Sequence, residues 1–209
     1  MTYTLYGEPG SGSFCAEAAF AEAGVAVELF NLDLKKNEQL APSYLAVNPT
    51  GKVPSLKLPT GEIVTESAAI LLTIADRHPE AALLPEQGSA ARAAALRWIV
   101  FVSSEIYPMV EIVDYPQRFA SGDEAIQNLK DTARTRLRAR FLVLEHAIAG
   151  SFVLESGFGL PDIYAANLGQ FYVGHAWRRE HCPKLEMLTN AVVERPKIAP
   201  IWRRHFASN

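Results

Sequence analysis

Residues Asn48–Ile70, NPTGKVPSLKLPTGEIVTESAAI, decide how the rest of the chain is read. Val53-Pro54 opens a mostly apolar run, Val53–Leu58. Proline has no N–H for a sheet ladder, so it stands at a strand's first position or at an edge. An X-Pro bond is also the kind that readily goes cis. A cis Pro54 turns the Val53 backbone outward, where its N–H and C=O can pair with an extended peptide. Pro59-Thr60-Gly61 reads as a hairpin turn into Glu62–Thr65. Glu66-Ser67 then opens an apolar-periodic segment that ends at Arg77-His78-Pro79. The free N–H groups and positive dipole end of a helix N-terminus bind carboxylates. Ser67 adds a hydroxyl donor, and Glu66 can hold an ammonium. The stretch offers a strand-like edge for a peptide beside a place for an amino acid's two charged groups. An ordinary hairpin followed by a capped helix fits the same residues.

Upstream, Thr2–Tyr6 alternates and reads as a strand. Gly7–Gly12 is a turn-rich loop. Ser13–Ala23 is alanine-rich and helical, with Gly24 placed to end it. Ala26–Leu32 is a second strand, and strand–helix–strand implies a parallel crossover. Gln39–Ala46 suits a short, irregular helix. Downstream, His78–Ser89 carries two prolines and a glycine and reads as a linker. No strand pattern follows it. Helices are expected over Ala90–Phe119 (bent at Pro108), Asp123–Ala149, Pro161–Ala176, Pro183–Glu194 and Pro196–Phe206. Gly159 precedes Pro161 and Asp162 as an N-cap whose side-chain half is missing. This gives an α/β domain over 1–78, a linker over 79–89 and an all-α helical-bundle domain over 90–209.

The 209 residues are 49% hydrophobic and 21% charged, enough for a sizeable core, and the net charge of −3 suggests no nucleic-acid partner. Two distant cysteines, Cys15 and Cys182, make neither a disulfide framework nor a metal motif. The N-terminus turns polar by Tyr6-Gly7-Glu8, which argues against a signal peptide, and no apolar run is expected to span a membrane. A cytoplasmic location is the expectation.

V-P-x-L followed by E-S-x-A-I resembles the glutathione site of the glutathione S-transferases, and the resemblance covers nearly the whole chain. It implies a thioredoxin-like N-terminal domain, glutathione as co-substrate, a small electrophilic and apolar partner substrate, and a homodimer. Carried over residue by residue, it assigns Val53, Pro54, Glu66 and Ser67 to glutathione, with Gln39 and Lys52 beside them. It implies that Glu105 or Ser104 reaches a neighbouring subunit's ligand. The acceptor pocket is expected to draw on Tyr107, Met109 and Tyr115. His175 and Trp177 suit either that pocket or packing.

The family's chemistry needs a donor that favours the thiolate of a thiol whose ordinary pKa is about 8.5. That donor belongs in Pro9–Cys15, PGSGSFC. Ser11 follows Pro-Gly, as the catalytic serine does in delta-like transferases. Ser13 is favoured when the helix is aligned backward from Ala23-Gly24, and stands where the beta class has a serine. Cys15 lies deeper in the helix, where a cysteine is more often a small core residue. Both serines also suit ordinary loop and cap chemistry. The beta-class cysteine position falls on Gly12 and its histidine position on Tyr107. These two departures argue against beta-type cysteine chemistry and against a glutaredoxin-like one. A glutathione-dependent disulfide reductase or peroxidase, and a non-catalytic interaction module, are the competing readings.

Overall fold

The computed structural model describes residues 2–170 and 175–206. The chain forms two compact units: Met1–Leu84 together with Val193–Asn209, and Pro85–Val192. The helical domain expected over 90–209 thus gives up its last segment, which packs with the first unit.

In the first unit, β1 (Tyr3–Gly7) pairs in parallel with β2 (Val27–Asn31) and antiparallel with β3 (Ser55–Lys57), which pairs antiparallel with β4 (Ile63–Thr65). The order β2-β1-β3-β4 is a thioredoxin-like mixed sheet. Helix α1 (Ser13–Ala23) supplies the crossover between β1 and β2 and ends at Gly24, φ 70°. Its alanines let it lie close to the sheet, and Phe14, Phe20, Leu5, Leu56, Ile70, Leu71 and Ile74 are buried in the core. Two single 3-10 turns, Leu34–Lys36 and Glu38–Leu40, precede the short α2 (Pro42–Leu45), so the region expected as one irregular helix is three separate pieces. Helix α3 (Ser67–Arg77) follows β4 directly.

The second unit is helical. Helix α4 (Ala90–Phe101) runs through a π-helical turn, Val102–Ile106, into α5 (Tyr107–Asp114). Pro108 has no N–H for the Ser104 carbonyl, and the turn before it widens, with Tyr107 N–H donating to the Val102 carbonyl. The irregularity therefore falls upstream of the expected bend. The helix stops at Asp114, short of Phe119, because Tyr115 precedes Pro116 and leaves the helical region. By length and composition alone Ala90–Asp114 is long and apolar enough to cross a membrane, which corrects the expectation of no such run. Here its Trp98, Ile99, Val102, Ile106, Val110 and Val113 are buried in the protein. Helix α6 (Asp123–Ala147) buries Ala133, Leu137, Phe141 and Leu144 along one face. Its buried Glu145 accepts the first amides of α9 (Pro183–Val193), from Lys184 at 2.9 Å and Leu185 at 2.8 Å. Of the helix expected over Pro161–Ala176, α7 covers Leu160–Leu168 and α8 (His175–His181) begins afresh; residues 171–174 lie outside the described residues. The last helix, α10 (Ala199–Phe206), belongs to the first unit.

Asp162 starts α7. Its fully buried carboxylate accepts the Gly159 amide at 2.8 Å and the Val153 amide at 2.7 Å. Gly159 has no side chain to return the bond, so Asp162 carries the cap alone. Replacing Asp162 by Ala leaves two buried N–H groups unpaired and should lower unfolding free energy by about 2–4 kcal/mol. Urea titration should place Asp162→Asn, which keeps one acceptor, between Asp162→Ala and wild type.

Candidate functional site

The sheet register brings the first unit's candidate residues to one end. Tyr6 pairs with Ser55, and Ser55 with Thr65. The exit of β1, the entry to β3 and the exit of β4 therefore lie together. Pro9–Ser13, Val53-Pro54 and Glu66-Ser67 are the segments that begin or end there.

The loop after β1 is a closed hydrogen-bond system. Ser13 is 4% exposed, and its hydroxyl donates to the Glu8 carbonyl at 3.0 Å. Ser11 is half-buried. Its oxygen accepts the amides of Ser13 at 3.2 Å and Glu8 at 3.4 Å, and lies 2.9 Å from Ser13 Oγ. Since the Ser13 proton points at a carbonyl, the Ser11 hydroxyl is the donor between the two serines. It is also the one whose proton can turn toward a ligand. Two amides donating to its oxygen polarise that O–H. Cys15 is fully buried in α1, away from any such position.

Val53-Pro54 is cis, and the Val53 N–H and C=O have no hydrogen-bond partner among the described residues. A buried network fixes this segment. Tyr44 donates its hydroxyl proton to the Lys52 carbonyl at 2.7 Å, Asn48 Nδ2 donates to the same oxygen at 2.8 Å, and both meet Ser55 Oγ. Burial pushes the Tyr44 phenol above its ordinary pKa and keeps that proton in place. The Lys52 side chain is exposed. Glu66 takes φ 64° and ψ 115°, a conformation unusual for a residue with a side chain. Its exposed carboxylate has no partner among the described residues. Gln39 is buried; its Nε2 lies 3.5 Å from Asn37 Oδ1, and its Oε1 has no partner among the described residues.

Beneath the loop, Gly10 N–H donates to His205 Nδ1 at 3.1 Å, and His205 Nε2 faces Glu17 Oε2 at 3.0 Å. Glu17 is also paired with Arg204. A nitrogen that accepts an amide carries no proton, so the ring is the neutral form with its hydrogen on Nε2. Burial, and then the Arg204 charge, push His205 down from 6.5 to about 4. The Glu17 carboxylate favours protonation, but it is already neutralised by Arg204.

In the helical unit the candidates do not form one cluster. Tyr107 and Met109 are half-buried at the start of α5, and Tyr107 Oη lies 3.4 Å from Asn167 Nδ2, its ring tilted against Tyr164. Tyr115 is exposed, with Arg118 over its ring. Glu105 pairs with Arg140 at 2.8 Å, and Ser104 donates to the Val100 carbonyl. Trp177 stacks on His181. The side chain of His175 lies outside the described residues.

Residues 1–76 match the family model for the glutathione S-transferase N-terminal domain. The uncharacterised GST-like protein YncG of Escherichia coli K12 is 28% identical over 203 residues, 96% of this chain and 97% of its own. Glutathione S-transferase GST-4.5 of Xanthomonas campestris is 30% identical over 146 residues, 70% of each chain. The chain belongs to the glutathione S-transferase family. A glutathione transferase homologue from Sulfitobacter, crystallised with bound glutathione, superposes with a TM-score of 0.89 at 26% identity over 96% of both chains.

Some of the residues that hold these segments carry no local sequence signal. Asn48 lies inside Asn48–Ile70, yet its bond to the Lys52 carbonyl appears only in the fold. Tyr44 is the same case. Glu17 and His205 are 188 residues apart, and no local pattern links them.

The His205 shift sets a pH dependence. The unfolded ring takes up its proton near 6.5, before the folded one does near 4. This stabilisation is complete above 6.5 and is lost as pH falls toward 4, on the order of 3 kcal/mol in all. Urea midpoints should therefore fall more steeply across this window in wild type than in a His205→Gln variant. Equal slopes would show that His205 does not contribute.

Proposed function

We propose that this chain is a glutathione transferase that joins the glutathione thiolate to a small, electrophilic and apolar substrate, with Ser11 as the donor to the sulfur. The observation that carries the reading is the meeting, at one end of the sheet, of the Ser11 hydroxyl, the unpaired Val53 backbone and the Glu66 carboxylate at the start of α3.

These groups fit a γ-glutamyl tripeptide. The Val53 N–H and C=O match an extended peptide's main chain. The N-terminal amides of α3 and the Ser67 hydroxyl match an α-carboxylate. Glu66 matches the ammonium beside it. The Gln39 Oε1 offers a further acceptor, and the Lys52 ammonium suits the glycyl carboxylate. Relatives solved with glutathione bound support the same ligand, among them the Sulfitobacter homologue and a sphingomonad enzyme 29% identical to this chain.

The residues' part in the reaction is electrostatic and positional. A hydroxyl donor near a helix N-terminus supplies about one or two units of thiol pKa depression, each unit being about 1.4 kcal/mol. The thiol proton leaves to solvent. The sulfur pair then forms the new C–S bond, while the electrophile's leaving group or adjacent π bond takes the displaced electrons. Tyr107 and Met109 belong to the acceptor side of this reading. Buried Cys15, together with Cys182, whose thiol burial pushes up to about 11, leave no protein thiolate for a redox cycle. The family resemblance extends the reading to a cytoplasmic homodimer that removes foreign electrophiles.

Thiolate absorbance against pH, with glutathione bound, tests the assignment. Ser11→Ala should raise the bound thiol pKa by about one unit with little change in affinity. Ser13→Ala should leave that pKa unchanged and lower the thermal midpoint. The opposite pattern would move the donor to Ser13, and a wild-type protein that does not bind glutathione would remove the reading altogether.

A further inference from the structure

We propose that His205, near the end of the chain, is a positioning residue for thiol activation: its ring, held by Glu17, fixes the Gly10 amide and so the place of the Ser11 hydroxyl. The inference rests on the reading of Ser11 as the donor.

The geometry forms a relay from α1 through α10 to the loop. Glu17 stands one turn inside α1 and is held by Arg204. It takes the Nε2 hydrogen of His205, which leaves the Nδ1 lone pair facing Gly10 N–H at 3.1 Å. Phe14 and Phe206 pack against the ring, with centroids 5.5 and 5.7 Å away, so it has little room to flip or swing. Gly10 itself sits at φ 82°, where a residue with a side chain is strained, and the loop bends so that this amide points inward.

The next residue is Ser11. Its oxygen is placed by two further loop amides, those of Glu8 and Ser13. The Gly10 bond is the loop's tie to α10. Among the described residues the loop's other outside bonds are Leu34 N–H to the Glu8 carboxylate at 3.4 Å, and those of Phe14 and Cys15 to the Ser11 and Gly12 carbonyls at 3.3 and 3.4 Å, and none of them is made by Gly10. A displacement of a fraction of an ångström in a hydroxyl weakens a hydrogen bond to sulfur while leaving the peptide-binding groups at Val53 and Glu66 untouched. Protonation of the ring has the same consequence, since Nδ1 then becomes a donor facing a donor. The charged groups around it are Glu17 and Arg204, with Glu22, Arg195 and Lys197 further along α1 and the segment before α10.

Two substitutions separate the halves of the relay. An Asn amide oxygen stands near the position of Nδ1, and a Gln amide group near Nε2. His205→Gln should keep a partner for Glu17 and lose the acceptor for Gly10. His205→Asn should keep the acceptor. With glutathione bound, His205→Gln is expected to raise the thiol pKa by about half a unit to one unit, a roughly threefold to tenfold loss of thiolate at neutral pH. Glutathione affinity should change less than about twofold. His205→Asn is expected to bring the thiol pKa back toward wild type. A His205→Gln protein with the wild-type thiol pKa, measured beside a Ser11→Ala protein in which it is raised, overturns the proposal and leaves the donor assignment standing. A Ser11→Ala protein with the wild-type thiol pKa overturns the donor assignment, and the proposal with it. Nitrogen NMR of the wild-type ring reads the relay without any variant. The expected signature at neutral pH is a protonated Nε2 and a bare Nδ1, and a protonated Nδ1 overturns the proposal even if the variants fail to fold.

Discussion

The N-terminal site depends on one close approach. A side chain at position 7 would place its Cβ 2.3 Å from Ser13 Cβ, a distance no pair of non-bonded carbons tolerates. Gly7, the last residue of β1, therefore has to be bare for α1 to begin where it does. With Ser13 pressed against that backbone, its hydroxyl donates inward, to the Glu8 carbonyl. The loop between them closes on the Ser11 oxygen, which takes two amides and gives its own proton to Ser13 Oγ, the one loop proton that a rotation of the hydroxyl can turn outward. The hydrogen bonding of the two serines thus follows from the packing of Ser13 on Gly7.

The same separation of inward and outward groups recurs across the first unit. Tyr44, Asn48 and Ser55 use their polar atoms on one another and on the Lys52 carbonyl, which fixes the chain just before Val53. Buried polar groups of this kind are costly unless paired, and once paired they hold their surroundings in a single arrangement. Among the described residues the Val53 backbone, the Glu66 carboxylate and the Gln39 Oε1 have no such partner. Glu66 also holds a backbone conformation that a side chain disfavours. A strained residue at a sheet's end, next to a helix start, is the geometry from which the transferase reading of Glu66 begins.

Much of this was legible in the chain itself because the signals are local. Alanines between Ser13 and Ala23 followed by Gly24 define α1 to the residue, and Val53-Pro54 and Glu66-Ser67 mark a strand entry and a helix start within a few positions of their cause. The misses have equally physical origins. Pro108 announces a break, but the carbonyl it deprives lies four residues earlier, so the widened turn appears at Val102–Ile106. The segment from Val193 packs with the first unit through Arg195 on Glu22 and His205 on Glu17, contacts that no periodicity encodes. Ser11 and Ser13 are the same residue type two positions apart. Only the packing on Gly7 tells them apart.

The placement of sulfur and oxygen follows from that packing too. A thiolate is stable where donors and solvent surround it, and a buried thiol in apolar surroundings stays protonated. Cys15 is fully enclosed in α1, and Cys182 is pushed up to about 11 by burial and the nearby Glu145 carboxylate. The position that the loop exposes is filled by a hydroxyl, which donates to a thiolate but does not become one at neutral pH. In the transferase reading, the chain therefore supplies the donor and the charge environment, and the reactive sulfur arrives with the ligand.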